Sequence, residues 1–318
     1  MSDIFVIVFP VFALAAIGYG CARSGVLSSA GGDGLASFVF NVAIPILLFK
    51  SLATAEFSRA SPWALWISYL AGILVAWAGA IVLVALIAGR GYRASVIAGV
   101  AASFSNLVLV GIPLIERAYG SDGLTVHFLI IAVHLPVMMA IATVLMELAA
   151  RADDPGSEPF SLVHTLHELL LNFSKNAIII GIVLGSAWRV TGLSLPSMVL
   201  DVMNLIGRTA GPLALIALGA SFTKFSIRGN WQPAVGLALL SVIVQPVVVY
   251  LFVTQVVSLP VLWMQVAVIA AACPTGVNAY LFATYFNKAQ GLASSSIVLA
   301  ALMSIVTLPL WLSVLAAL

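Results

Sequence analysis

Charge is the scarcest thing in this sequence: Asp, Glu, Lys and Arg make up 8% of its 318 residues, against 63% apolar residues. So few charges cannot solvate the surface of a soluble domain, and the mean hydropathy of +1.18 lies well outside the soluble range. Cysteine is equally rare. Cys21 and Cys273 offer no disulfide framework and no metal-ligand spacing, and both read as small apolar packing residues. Also missing are the DDxxD, HExxH and GxSxG patterns and any ATP-binding loop, while His127, His134, His164 and His167 sit in loops or alone. These absences leave no basis for an enzyme, an ATP-driven pump, a metal centre or a cofactor. A net charge of +2 likewise offers nothing to a nucleic acid.

What the chain has in abundance is long apolar runs. They are continuous rather than alternating with period two, and lipid leaves open backbone unsatisfied, so the fold class is all-α, a polytopic helical membrane protein rather than a barrel. Windows of about 20 residues place ten spans near 3–22, 34–54, 63–88, 95–117, 124–149, 173–190, 196–222, 232–256, 262–286 and 292–316. The first follows Asp3 rather than a basic residue and lacks a small-residue cleavage site, so it reads as a membrane helix and not as a secretory signal. Only 151–172 is long enough to be a substantial loop. Arg151, Asp153, Asp154, Pro155, Gly156 and Glu158 open it, and Phe160, Leu162, Val163, Leu166, Leu169 and Leu170 then suit an interfacial amphipathic helix.

Basic residues set the orientation. With both termini outside the cytoplasm, the inner connections hold Arg23, Arg90, Arg93, Arg151, Lys175, Lys224, Arg228 and Lys288, and the outer ones only Lys50, Arg59, Arg117 and Arg189. The expected location is the inner (plasma) membrane, and the Asn172-Phe173-Ser174 sequon then falls on the cytoplasmic side.

Ten spans divide into five and five about the loop: a first repeat at 1–150, the cytoplasmic loop at 151–172 and a second repeat at 173–318. Because five is odd, the second repeat enters the membrane inverted, as in many secondary transporters. The second span reads Asn41-Val-Ala-Ile-Pro45 and the seventh Arg208-Thr-Ala-Gly-Pro212, a polar residue one turn before a proline in each. Both run on to a phenylalanine, Phe57 and Phe222. The fourth and ninth spans match as well, with Ser105-Asn106 to Gly111-Ile112-Pro113 in one and Cys273-Pro274-Thr275-Gly276-Val277-Asn278 in the other. Proline and glycine disfavour continuous helix, so each span is expected to split into half-helices. One such break is as readily a plain kink as a ligand site. Two at equivalent places point to a site.

The polar residues near these places are the candidate ligands. A guanidinium at Arg208 costs at least about 2.5 kcal/mol on insertion scales and needs a partner, either Asp201, seven residues earlier, or a substrate carboxylate held bidentately. Asn41 can donate to an anion or bond another helix. Ser105, Asn106, Thr275 and Asn278 flank the breaks, where half-helix N-termini near Pro113 and Pro274 would favour an anion; alternatively they only satisfy broken backbone. Gly111, Pro113, Pro274 and Gly276 are the expected break points, and Pro45 and Pro212 the kinks. His134 and Asp201 are the candidates for ion coupling.

At Asn41 to Phe49 (NVAIPILLF), Ser103 to Leu114 (SFSNLVLVGIPL), Gly219 to Phe222 (GASF), Cys273 to Thr284 (CPTGVNAYLFAT) and Ala293 to Pro309 (ASSSIVLAALMSIVTLP) the chain resembles the auxin efflux carrier family. That family includes the plant PIN auxin exporters and bacterial carriers of malonate and malate. The resemblance implies a scaffold of spans one, two, six and seven, through which members form homodimers, here by spans two and seven. It also implies a six-span transport unit in which spans four and nine cross at their prolines and move as an elevator. The chain lacks the long central cytoplasmic region of the plant exporters, so a bacterial-type carrier of a small organic anion fits better than an auxin exporter. Two other readings are a cation-coupled carrier of the bile-acid symporter or sodium-proton antiporter type and, from a different class, an intramembrane lipid-modifying enzyme.

Overall fold

The computed structural model describes residues 2–54, 62–85, 91–153, 162–227 and 231–318. Phe57, Arg59, Arg90, the loop residues from Asp154 to Phe160, and Arg228 fall outside the described residues. Everything described is helical or connecting, apart from one isolated bridge between Ser105 and Thr275. In chain order the helices are α1 (Ser2–Arg23), α2 (Ser29–Phe38), α3 (Ile44–Thr54), α4 (Pro62–Leu83), α5 (Tyr92–Ser103), α6 (Ile112–Asp153) and α7 (Leu162–Lys175). There follow α8 (Ala177–Val190), α9 (Ser197–Ser221), α10 (Trp231–Leu239), α11 (Gln245–Gln255), α12 (Val261–Ala272), α13 (Asn278–Tyr285) and α14 (Gln290–Leu315). Wide π turns precede α3, α6 and α11, at Val39–Ala43, Leu107–Gly111 and Leu240–Val244. Such turns often mark functional places in helices.

Among the described residues, seven helices are long and apolar enough to cross a membrane, and the α7–α8 pair, bent by 75°, makes an eighth if it is one span. The sequence windows predict ten. Much of the difference lies at the breaks: α5 and α12 have 12 residues each and α13 has 8, all short of a span. Conversely, α6 runs on through Gly120, whose φ of 66° and ψ of −157° interrupt it where the sequence places a loop. The amphipathic segment predicted after the loop is helix α7. Side-chain caps explain two helix starts: Ser28 Oγ accepts from the Gly31 amide at 3.0 Å, and Asn176 Oδ1 accepts from Ile178 and Ile179 at 3.0 and 3.2 Å.

The chain forms two compact units. The first comprises Met1–Ser61, Val108–Ala132 and Leu171–Lys224, and the second Pro62–Leu107, Val133–Leu170 and Phe225–Leu318.

The first unit is built on close helix pairs, α1 with α9 and α3 with α8. Lipid is as apolar as leucine, so such pairs are held by close contact rather than by exclusion of water, and small residues permit it. On α8, Gly181 and Gly185 lie four apart and face α3; a Cβ on either would stand 2.6 Å from the Pro45 or Phe49 carbonyl oxygen. Gly18 and Gly219 do the same for α1 and α9.

In the second unit α4 packs on α5, α11 and α12, and α14 packs on α10, α12 and α13. Its interior mixes large side chains such as Tyr69, Leu65 and Ile97 with stretches of small ones. The described positions from Ala267 to Ala272 are fully buried, as are Ala238, Val242 and Ala300.

A candidate anion site at two paired helix breaks

The two broken spans meet inside the second unit. Helix α5 stops when Phe104 leaves helical geometry at φ −82° and ψ 84°, and α12 stops at Cys273, with φ −58° and ψ 137°. The two extended stretches run antiparallel: the Asn106 amide donates to the Pro274 carbonyl at 2.8 Å, and the Gly276 amide donates to the Phe104 carbonyl at 2.7 Å. Each break thus satisfies part of the other's backbone, which membrane burial requires. Glycine suits position 276, because a Cβ would stand 3.2 Å from the Phe104 carbonyl oxygen, closer than an ordinary contact.

Four predicted residues are brought together by this pairing. Ser105 and Thr275 face each other in the bridge, Asn106 follows the first and Asn278 opens α13. Ser105, Asn106 and Thr275 are buried, and Asn278 is half-buried. The Thr275 hydroxyl donates back to the Ala101 carbonyl at 2.7 Å, so one of the two bridge hydroxyls serves the backbone. Val277 caps α13, and in its first turn the Ala279 and Tyr280 amides donate to the Gly276 and Val277 carbonyls at 3.1 and 3.0 Å.

The position of the first break differs from expectation. Helical geometry is lost at Phe104–Asn106, and Gly111 and Pro113 lie beyond it in helical backbone, Pro113 as the second residue of α6. Pro113 follows the π turn at Leu107–Gly111 without a gap and so lies inside continuous helical backbone, downstream of the break.

In the first unit, Asn41 lies in the π turn before α3, exposed, with its amide donating to Ser37 Oγ at 3.1 Å. Pro45 is the second residue of α3, and Pro212 lies within α9. Arg208 and Asp201 are both exposed on α9 and form no ion pair with one another. The fixed pair that seven-residue spacing allows is therefore not made.

Several polar groups were not singled out from the sequence. Gln245 donates from Nε2 to Ser105 Oγ at 3.2 Å, and the Tyr69 hydroxyl lies 3.1 Å from His134 Nδ1. Gln245-Pro246 in an apolar span repeats the pattern of a polar residue beside a proline, and that was the available signal. In the first unit Lys50 Nζ donates to Asn204 Oδ1, and Glu116, within electrostatic range of Lys50, approaches the Gly211 position of α9. Elsewhere in that unit a small cleft is lined by Ser28, Asp33, Ser221 and Lys224, with Lys224 ion-paired to Asp33; it holds none of the predicted ligands.

Similarity to known proteins agrees with the long apolar helices. A protein of Rhizobium meliloti (strain 1021), provisionally named a malonate transporter, is 24% identical over 323 residues, covering 96% of this chain and 94% of its own length. The model of the membrane transport protein family matches residues 3–312, so the chain belongs to that family, the auxin efflux carrier-like group whose motifs it carries.

Proposed function

We propose that this membrane transporter is a secondary carrier of a small organic anion, a mono- or dicarboxylate of the malonate or malate kind. The observation that carries the reading is the pairing of Phe104–Asn106 with Pro274–Gly276, which gathers hydroxyls and carboxamides beside the start of α13. Groups of that kind favour an anion at a helix start. The same pairing supports the finer architecture: ten spans in two inverted repeats, 1–150 and 173–318, with spans four and nine crossing at their breaks. The two helices that lead into the breaks, α5 and α12, have the same length of 12 residues. An elevator movement of a transport unit, dimerisation through spans two and seven, a plasma-membrane location and termini outside the cytoplasm complete the proposal. Arg208 and Asn41 are the anion-recognising groups assigned to the first unit.

The primary test is a thermal-shift screen of purified protein against mono- and dicarboxylates, indole acetate and amino acids, followed by flux in proteoliposomes with and without ion gradients. A dicarboxylate is expected to stabilise the protein and to cross. Failure of every carboxylate to bind or move would overturn the reading. Asn106→Ala and Asn278→Ala are expected to weaken carboxylate binding by about tenfold, as for one lost hydrogen bond to a charged group, with a smaller effect on melting. If melting falls sharply while affinity holds, both residues serve only the backbone.

A further inference from the structure

A hydrogen-bonded chain joins the paired breaks to a buried histidine. His134 on α6 and Tyr69 on α4 are 2% and 1% exposed, and Nδ1 lies 3.1 Å from the hydroxyl. The Tyr69 hydroxyl is hydrogen-bonded in turn to the Ser105 side chain, and Gln245 Nε2 donates to Ser105 Oγ at 3.2 Å. The Phe104 ring stands edge-on to the imidazole at 4.6 Å. All four polar side chains belong to the second unit.

With the neutral imidazole carrying its proton on its own Nε2 and the Gln245 amide nitrogen turned to Ser105, donors and acceptors run one way along this chain. The Gln245 amide donates to Ser105, so Ser105 gives its proton to the Tyr69 oxygen and Tyr69 gives its own to Nδ1 of a neutral imidazole. The chain ends at Gln245 Oε1, which is buried and has no hydrogen-bond partner. A proton added to Nδ1 makes the imidazole a donor. Tyr69 must then accept from it and donate to Ser105, Ser105 must donate to Gln245, and the amide turns so that Oε1 accepts. The reversed chain uses the one acceptor that the resting chain leaves idle.

We propose that His134 is a proton-binding site of the carrier, and that Tyr69 and Gln245 are positioning residues that transmit its protonation state to Ser105 within the pairing with Thr275. This rests on the reading of the paired breaks as the anion site. The groups facing the imidazole include the Tyr69 hydroxyl from α4 and the Phe104 ring at the end of α5; the Cys273 thiol lies within electrostatic range of Tyr69. The described residues of α4, α11 and α12 contain no Asp, Glu, Lys or Arg, and Arg93 of α5 is paired with Asp153. On α6 itself the charged residues Glu116, Arg117, Asp122, Glu147, Arg151 and Asp153 all lie more than three turns from His134. A protonated imidazole attracts an anion at the breaks, and an anion there holds the proton by the same factor.

The test compares the parent protein with Tyr69→Phe, which removes one hydroxyl, and His134→Gln, in nanodiscs with radiolabelled malonate at about pH 5.5 and about pH 8, either side of histidine titration. The parent is expected to bind malonate about fivefold or more tightly at the lower pH. Both variants should still bind, with the ratio flattened to near one. A ratio unchanged in both variants, or a ratio of one in the parent, overturns the proposal. Nitrogen-15 histidine spectra of the same samples read proton binding without any substrate, the His134 signal being the one lost in His134→Gln. An imidazole that titrates between about pH 5 and 8, with a midpoint moved by Tyr69→Phe, supports the site. That result would stand even if no carboxylate bound, an outcome that sinks only the anion reading. A His134 signal that does not titrate over this range sinks the proton site.

Discussion

Arg208→Ala abolishes carboxylate flux in proteoliposomes while the purified variant melts at the parent temperature or above it. The two halves of this expectation have one cause. Arg208 is exposed on α9, a helix within an apolar span, and makes no ion pair with Asp201. A guanidinium in such a span costs at least about 2.5 kcal/mol on insertion scales, so truncation relieves a cost and breaks no ion pair. On the proposed function its contribution goes instead to a bound carboxylate, which its planar fork can hold through two parallel hydrogen bonds. Losing one partner of such a desolvated charge pair costs about 2–5 kcal/mol, which is roughly 30-fold to several thousand-fold in affinity. Arg208→Lys keeps the charge without the fork and should recover binding only in part. Asp201→Asn is the control, expected to leave flux unchanged. If Asp201→Asn reproduces the loss seen in Arg208→Ala, the two residues act as a pair and Arg208 is not a substrate ligand. Unchanged flux through Arg208→Ala removes it from the site altogether.

The parts of this protein that could be read from sequence are those in which one residue type has one physical consequence. Runs of apolar residues gave helices, and proline with glycine at Pro274 and Gly276 gave a break where one is found. The first break illustrates the limit. Pro113 is an expected break point, yet it lies in helical backbone that already runs from the π turn at Leu107–Gly111, and the chain opens upstream at Phe104. No local signal marks Phe104 as the last turn, because its departure is fixed by the Pro274 and Gly276 backbone across the pairing. Tertiary partners likewise decide the buried chain. Tyr69 and Gln245 lie in unbroken apolar stretches far apart in sequence, and only folding brings them to Ser105 and His134. The Asp201 and Arg208 spacing shows why that partner stayed open in the sequence: a shared helix face permits an ion pair without requiring it.

Gly219→Ala lowers the melting temperature sharply, and Gly18→Ala does so to a similar degree, whereas Gly20→Ala leaves it unchanged. All three add one methyl group to α1 or α9. A Cβ at Gly219 would stand 1.8 Å from the Ala15 carbonyl oxygen, and one at Gly18 would stand 2.2 Å from the Ile216 carbonyl oxygen. The obstacle in both cases is backbone, which cannot rotate aside as a side chain can. The helices must separate, and every contact along the α1–α9 seam loosens with them. Overpacking of this kind costs about 1–3 kcal/mol, with no compensating gain because lipid does not drive the pair together. At Gly20 nothing lies within 4 Å of the added atom, so the higher helix propensity of alanine is all that changes, by at most about 1 kcal/mol in the stabilising direction. The comparison within α1 is the decisive measurement, made by thermal melting of detergent-purified protein. Equal melting of Gly18→Ala and Gly20→Ala would mean that α1 and α9 are not in contact at this seam.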